Sequence, residues 1–404
     1  MRLVLELETA MDGFDSAAVS GLAGVRLNAD PATLTEISAR LAETAAVYDR
    51  SGAFPHENFD LLHRHGLTGL AAARELSGAP LTLAEARAVV AAVAAGEPST
   101  ALVLIMTYLF VIQAARNPNW PKPLRRRVLE DIAAHGALAN SLRVEPELGT
   151  PIRGGMPATI ARRVPGGWRL SGKKLYSTGI PALKWLGVWA RTDDAAPLIG
   201  TFLVPSSAPG IRIEETWDQL GMRATGSHDA VFEDVFIPAE YAVDVRAPSL
   251  WEAERPAEFL AWSAVLIGAL YDAVARNARD WLVRFAQERV PSNLGAPLAT
   301  MPRFQETIGE IEALLFTNRA LLDRACLADP AKTPPLESNF VKHLVTNNAI
   351  KAAEKAVALT GNPALSRHNP LERHYRDTLF GRVHSPQDDT ILTAAGKAAL
   401  AAHS

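Results

Sequence analysis

The sequence contains a single cysteine, Cys326, among 404 residues. One thiol excludes an intrachain disulfide and any zinc site built from clustered thiolates, and it fits a reducing cytoplasm. An excess of basic charge is also missing. The 41 Lys and Arg against 44 Asp and Glu give a formal net charge of -3, which leaves nothing to neutralise a phosphate backbone, so nucleic acid is not an expected partner. Long hydrophobic runs are missing too. The most apolar one, from Ala101 to Ile112, falls short of the roughly 20 residues of a spanning helix and reads as a buried core helix. The first residues, Met1 to Glu8, carry acids inside their apolar stretch and no small-residue cleavage site, so no secretory signal, lipid anchor or membrane partner is expected. The usual catalytic signatures do not occur: no glycine-rich dinucleotide loop, phosphate loop, nucleophile elbow or His-Glu-x-x-His. His63 and His65 are two apart and point to different helix faces, so no metal site is expected.

What remains is a globular composition, 48% hydrophobic and 21% charged, in a chain long enough for several domains. Residues 1–31 read as an N-terminal extension. Residues 32–138 read as helices. Leu34, Ile37, Leu41 and Ala45 form one apolar face. Pro55 suits the first turn of a second helix that Gly66 ends. An alanine-rich helix from Leu83 ends at Gly96 and Pro98, and Ser99 or Thr100 is placed to cap the apolar helix after it. Residues 139–245 change character. Trp168–Gly172, Trp185–Ala190, Ile199–Val204 and Ala230–Ile237 look like strands separated by glycine and proline, which suggests an antiparallel β domain. Residues 246–404 return to helix: Leu260–Glu288, Arg303–Leu327, Phe340–Leu359 (stopped by Gly361 and Pro363) and Asp389–Ala401. A sheet between two helical blocks creates interfaces where ligands bind.

Several segments, in order, resemble the acyl-CoA dehydrogenase superfamily. Leu142 to Pro151, with Glu145-Pro146 and Gly149, is similar to that family's Thr-Glu-Pro-x-x-Gly-Ser-Asp segment. Trp168 to Gly179 is similar to Trp-x-Leu-x-Gly-x-Lys-x-x-Ile-Thr. Gly221-Met-Arg223-Ala-Thr225 and Phe232 to Glu240 match the end of the β domain, Arg289 with Phe304-Gln305 matches an Arg and Phe-Gln pair, and Glu372-Arg-His-Tyr-Arg376-Asp377 matches Glu-Arg-x-x-Arg-Asp. The resemblance implies an N-terminal helical domain, a central antiparallel β domain and a C-terminal four-helix bundle. It implies a flavin at their junction: FAD, with FMN as the alternative. Leu142, Val144, Tyr176, Thr178, Arg289, Gln305 and Gly361 are the cofactor-binding candidates it yields. Tyr176 would stack on the flavin, and the Thr178 hydroxyl would meet its central-ring nitrogen. Val144 departs from the family's threonine. Arg289 would serve a neighbouring subunit's cofactor, which implies a homo-oligomer, a dimer or tetramer.

The family's catalytic base is a carboxylate that removes the α-proton of an acyl thioester. Counting from Asp377 places that position at Ser385, and the family's second placement at Ser263, with Glu258 the nearest acid upstream. Neither position holds an acid. Pro151 also replaces an aspartate of the family segment, which weakens the case for a CoA substrate. Trp217-Asp218, Gly221, Arg223, Thr225, Ser227 and the late His384 are similar to the flavin monooxygenases on this fold. Those take reduced flavin from a separate reductase and use O2 through a flavin 4a-hydroperoxide. The resemblance makes His384 and Ser177 the catalytic candidates, with histidine suited to proton delivery near neutral pH. The alternative is a dehydrogenase or oxidase with a displaced base, Asp388 or Asp389. Either way a small-molecule substrate is expected.

Overall fold

The computed structural model describes residues 30–148, 155–253 and 257–402. Thr150 and Pro151, and all but the end of the N-terminal extension, therefore lie outside the described residues. Six helices come first: α1 (Pro31–Ser51), α2 (His56–Arg64), α3 (Leu70–Leu76), α4 (Leu83–Gly96), α5 (Pro98–Arg116) and α6 (Lys122–His135). Asp30 caps α1 by accepting from the Ala32 and Thr33 amides. The buried face of α1 is Leu34, Ile37, Leu41 and Ala45, the four residues the periodicity picks out. Gly96 lets α4 cross α1 closely, because a Cβ there would lie 2.5 Å from the Ser38 carbonyl oxygen. The expected cap on α5 is corrected. Neither Ser99 nor Thr100 caps it; the buried Glu97 does, accepting from both of their amides at 3.0 and 2.6 Å. A carboxylate takes two orphan donors at once and favours the positive end of the helix dipole.

Helix α5 is apolar on nearly every side and buried along most of its length, as a helix enclosed by other elements must be. It and the long helix Ala257–Glu288 of the C-terminal block are long and apolar enough to cross a membrane, yet both are mostly packed inside the molecule.

Eight strands follow: β1 (Leu138–Leu142), β2 (Ile160–Val164), β3 (Gly167–Lys174), β4 (Leu183–Thr192), β5 (Ile199–Pro205), β6 (Ile211–Glu214), β7 (Asp229–Pro238) and β8 (Ala242–Arg246). They form one sheet in the order β6-β7-β3-β2-β4-β5-β8, with β1 also paired to β4. Most pairings are antiparallel as expected, but β1 and β2 both run parallel to β4, so the sheet is mixed. The chain reaches β4 from β1 and β2 through long excursions, which parallel neighbours require. The apolar run of β4 is buried on both faces.

The last block comprises α7 (Pro248–Ala253), α8 (Ala257–Glu288), α9 (Pro302–Leu327), α10 (Pro335–Thr360), α11 (Asn362–Leu365), α12 (Leu371–Thr378) and α13 (Asp388–Ala401). Helices α8, α9 and α10 pack together, with α12 against α8 and α10, and α13 on α10.

Three blocks meet at one ionic junction. Arg376 of α12 holds Asp49 of α1 at 2.7 and 2.9 Å, holds Glu372 at 2.6 Å and donates to the Leu220 carbonyl. Arg223 donates to the Asp49 carbonyl. Gly221 fits because a Cβ there would lie 2.6 Å from the Arg376 carbonyl oxygen. Beside it, the Met222 amide donates to the buried Asp377 carboxylate at 2.7 Å. Burial raises the Asp377 pKa to about 7. The junction fixes the loop between β6 and β7 against the C-terminal bundle.

Candidate active site

The loop after β3 presents the first group of candidates. Glu145 and Lys174 anchor it from below. Both are wholly buried, with the Lys174 ammonium on the Glu145 carboxylate at 2.5 Å. Glu145 also accepts from the Ala158 and Thr159 amides and the Thr159 hydroxyl, and these donors with Lys174 hold its carboxyl below the usual range. The Glu-Pro of the family segment is thus a structural clamp here. The Leu175 amide donates to the Val144 carbonyl, so the two flavin-associated segments lie side by side, and that backbone oxygen is already engaged.

Tyr176 stands at the turn with φ +52, not in a strand, and its ring is 56% exposed. A bulky residue in the left-handed region is strained, and such strain collects at ligand sites. The Thr178 hydroxyl is 2.9 Å from the Ser227 hydroxyl, which is 2.8 Å from that of Thr225. Asn140 on β1 donates to the Thr178 carbonyl. Ser177 is fully buried and its hydroxyl has no hydrogen-bond partner among the described residues. Leu142 is buried on β1. An open aromatic side chain, an orphaned hydroxyl and the first of a run of hydroxyls therefore stand on three consecutive residues, Tyr176, Ser177 and Thr178.

An aromatic path leads from this loop to the C-terminal block. Tyr176 meets Trp217 edge-on at 6.3 Å, and Trp217 meets Phe380 at 6.0 Å. Phe380 lies in the turn Leu379–Arg382, and His384 follows it. The structure places His384 against α8, with its Nε2 2.6 Å from the Tyr271 hydroxyl. Burial and the Lys342 ammonium push the His384 pKa down to about 3. The expectation of a histidine titrating near neutral pH is thereby corrected: the ring is neutral there.

The carboxylate candidates are committed elsewhere. Asp388 accepts from Asn347 at 2.8 Å and pairs with His343 at 3.0 Å, both on α10, and these partners with Lys342 hold it below the usual range. Asp389 is exposed at the start of α13 and accepts from the Thr390 amide. Glu258 pairs with Arg116 at 3.2 Å.

Arg289, Gln305 and Gly361 form a second group at one end of the bundle. Arg289 follows α8, Gln305 is in the first turn of α9, and Gly361 ends α10. The Leu298 backbone amide donates to the Arg289 carbonyl and the Gln305 side-chain amide to the Ala299 carbonyl, so one turn links Arg289 and Gln305. No described contact joins this group to Tyr176 and Thr178.

Sequence reasoning passed over Tyr271, Lys342 and Asn140. Ser227 carried a signal through its spacing from Thr225, whereas Tyr271 and Lys342 sit in ordinary helical patterns. Among the described residues no group of three or more His, Cys, Asp or Glu side chains is placed to hold a metal ion.

A helical block, a mixed sheet and a second helical block joined in this order define one class of protein, and comparison identifies it. The acyl-CoA dehydrogenase N-terminal, middle and C-terminal domains match residues 34–119, 144–235 and 254–388. The chain belongs to the acyl-CoA dehydrogenase superfamily of flavin-dependent oxidoreductases. YdbM of Bacillus subtilis (strain 168), provisionally named an acyl-CoA dehydrogenase, is 33% identical over 88% of this chain and 92% of that protein. Indole-3-acetate monooxygenase of Pseudomonas putida is 31% identical over 61% of this chain and 66% of that protein. The structure of KijD3 in complex with FMN and a dTDP-linked amino-deoxy-keto sugar superposes with a TM-score of 0.77 at 27% identity, covering 92% and 94% of the two chains.

Proposed function

We propose that this protein is a flavin-dependent monooxygenase that uses reduced flavin and O2 on a small-molecule substrate. The flavin is FAD or FMN. A flavin ring needs an apolar or aromatic face and hydrogen-bonding groups at its polar edge. The exposed Tyr176 ring, the Thr178–Ser227–Thr225 hydroxyls and the orphaned Ser177 hydroxyl fit that need. Arg289 and Gln305, at the other end of the bundle, fit a cofactor reaching across from a second subunit, so we assign a homo-oligomer. When bound, the flavin supplies the reducing equivalents that activate oxygen. Tyr176 would stack on the ring, Thr178 would orient its polar edge, and the aromatic Trp217 and Phe380 would help keep water from it. Exclusion of water protects reactive intermediates.

One observation carries the reading. The family base would fall at Ser385, beside a His384 that burial and Lys342 keep neutral, and the nearest acid in sequence, Asp388, is tied to Asn347 and His343. A carboxylate held below its usual pKa is a weak base for a carbon acid. The second reading, a dehydrogenase or oxidase using Asp388 or Asp389, is favoured by the similarity to YdbM. The two separate under anaerobic titration of the flavin-loaded protein with an acyl-CoA panel. The monooxygenase reading expects no bleaching. Bleaching by any thioester, lost in Asp388→Asn or Asp389→Asn, would replace it with the second.

A further inference from the structure

We propose that Tyr271 and Lys342 are positioning residues that hold His384 as a neutral ring protonated on Nδ1, so that it works as a fixed hydrogen-bond donor and not as a cationic acid. The functional meaning of this inference rests on the placement of His384 at the oxygen-activating site.

Tyr271 is fully buried, and its hydroxyl has one partner among the described residues, His384 Nε2 at 2.6 Å. A neutral phenol carries one proton to donate. If Nε2 carried a hydrogen, the phenol oxygen would have to accept it, and the phenol's own hydrogen would be buried without an acceptor, which costs about 1–3 kcal/mol. The pair is satisfied when Tyr271 donates to a bare Nε2. The single imidazole proton then belongs on Nδ1, for which no described group is a partner, and that atom is not sealed off.

Charge acts in the same direction. Lys342 on α10 is buried, and its ammonium has no hydrogen-bond partner among the described residues; the Asp388 carboxylate is 3.9 Å away. A second positive charge on His384 would face this poorly compensated one in a medium of low dielectric. Burial lowers the pKa of Lys342 itself to about 8, so it remains largely cationic at neutral pH. The groups around the ring are Tyr271 from α8, Lys342 and, behind it, His343 from α10, Asp377 beyond Tyr271 on α12, and Asp388 at the start of α13. The carboxylate of Asp388 is shared between Asn347, His343 and Lys342, and none of the described hydrogen bonds or ion pairs gives His384 an acid of its own. Hydrogen bonding and charge thus favour the same state: neutral, with hydrogen on Nδ1.

The test does not require the cofactor. Histidine ring 15N and 13C resonances are recorded on the full chain between pH 5 and 8, with the His384 signals assigned from a His384→Gln difference. The expected result is Nδ1 protonated, Nε2 bare and no titration across that range. Lys342→Met should bring titration of the ring into the acid end of that range, and Tyr271→Phe should populate the Nε2-protonated form. A midpoint above pH 6 or an Nε2-protonated ring in the unmodified chain would overturn the proposal, as would Lys342→Met leaving the titration unmoved. The unmodified chain decides even if Tyr271→Phe fails to fold. A locked tautomer in a protein that shows no oxygen chemistry would leave this inference standing and remove the functional reading instead.

Discussion

Replacing Lys174 by methionine removes the cation that the described residues place on the wholly buried Glu145 carboxylate. Methionine nearly conserves the volume, so packing changes little. The cost is electrostatic. Glu145 would keep the Ala158 and Thr159 donors but lose its countercharge, and breaking a buried pair from one side costs about 3–5 kcal/mol. At a urea m-value of roughly 2 kcal/mol/M, that lowers the unfolding midpoint of the β domain by about 2 M. The second change, Glu145→Gln, removes the stranded charge while leaving an amide oxygen to accept from Thr159. The double variant should therefore recover most of the loss. Urea titration by tryptophan fluorescence reads this, since Trp168, Trp185 and Trp189 all lie in the sheet. A midpoint shift under about 0.5 M for Lys174→Met, or a double variant no more stable than the single one, would refute the clamp.

Two further predictions concern the junction and the cofactor edge. Asp377 has a folded pKa raised to about 7 against about 3.9 unfolded. The folded state binds more protons in that window, so stability falls as pH rises from about 4 towards 7. Asp377→Asn should flatten this dependence in melting curves taken from pH 5 to 8; an unchanged slope would mean that the carboxylate is ionised and paired. Thr178→Val should weaken flavin binding by up to about tenfold, the worth of one hydrogen bond, in calorimetric titration, whereas an unchanged affinity would remove Thr178 from the cofactor's edge.

The helix, sheet, helix order was legible because each block carries its own period and punctuation, and the α1 face of Leu34, Ile37, Leu41 and Ala45 was read without error. What escaped was long-range or chemically atypical. The cap of α5 is a glutamate, whereas cap preferences favour serine and threonine. The parallel pairings of β4 depend on where chain excursions return. Tyr176 is an aromatic residue of a type that favours strands, and nothing in its neighbours announces a positive φ. Tyr271 lies 113 residues from His384. No local pattern shows that this tyrosine and Lys342 meet a histidine whose pKa burial and the Lys342 charge push down.

The central claim is that this fold activates oxygen without a carboxylate base. Its most direct test is to load the protein with flavin, reduce it without oxygen, mix it rapidly with oxygenated buffer and follow the flavin spectrum. The account predicts a transient spectrum distinct from both the reduced and the oxidised cofactor, which His384→Ala abolishes while flavin affinity is retained. Slow, featureless reoxidation, the same in both proteins, would contradict it.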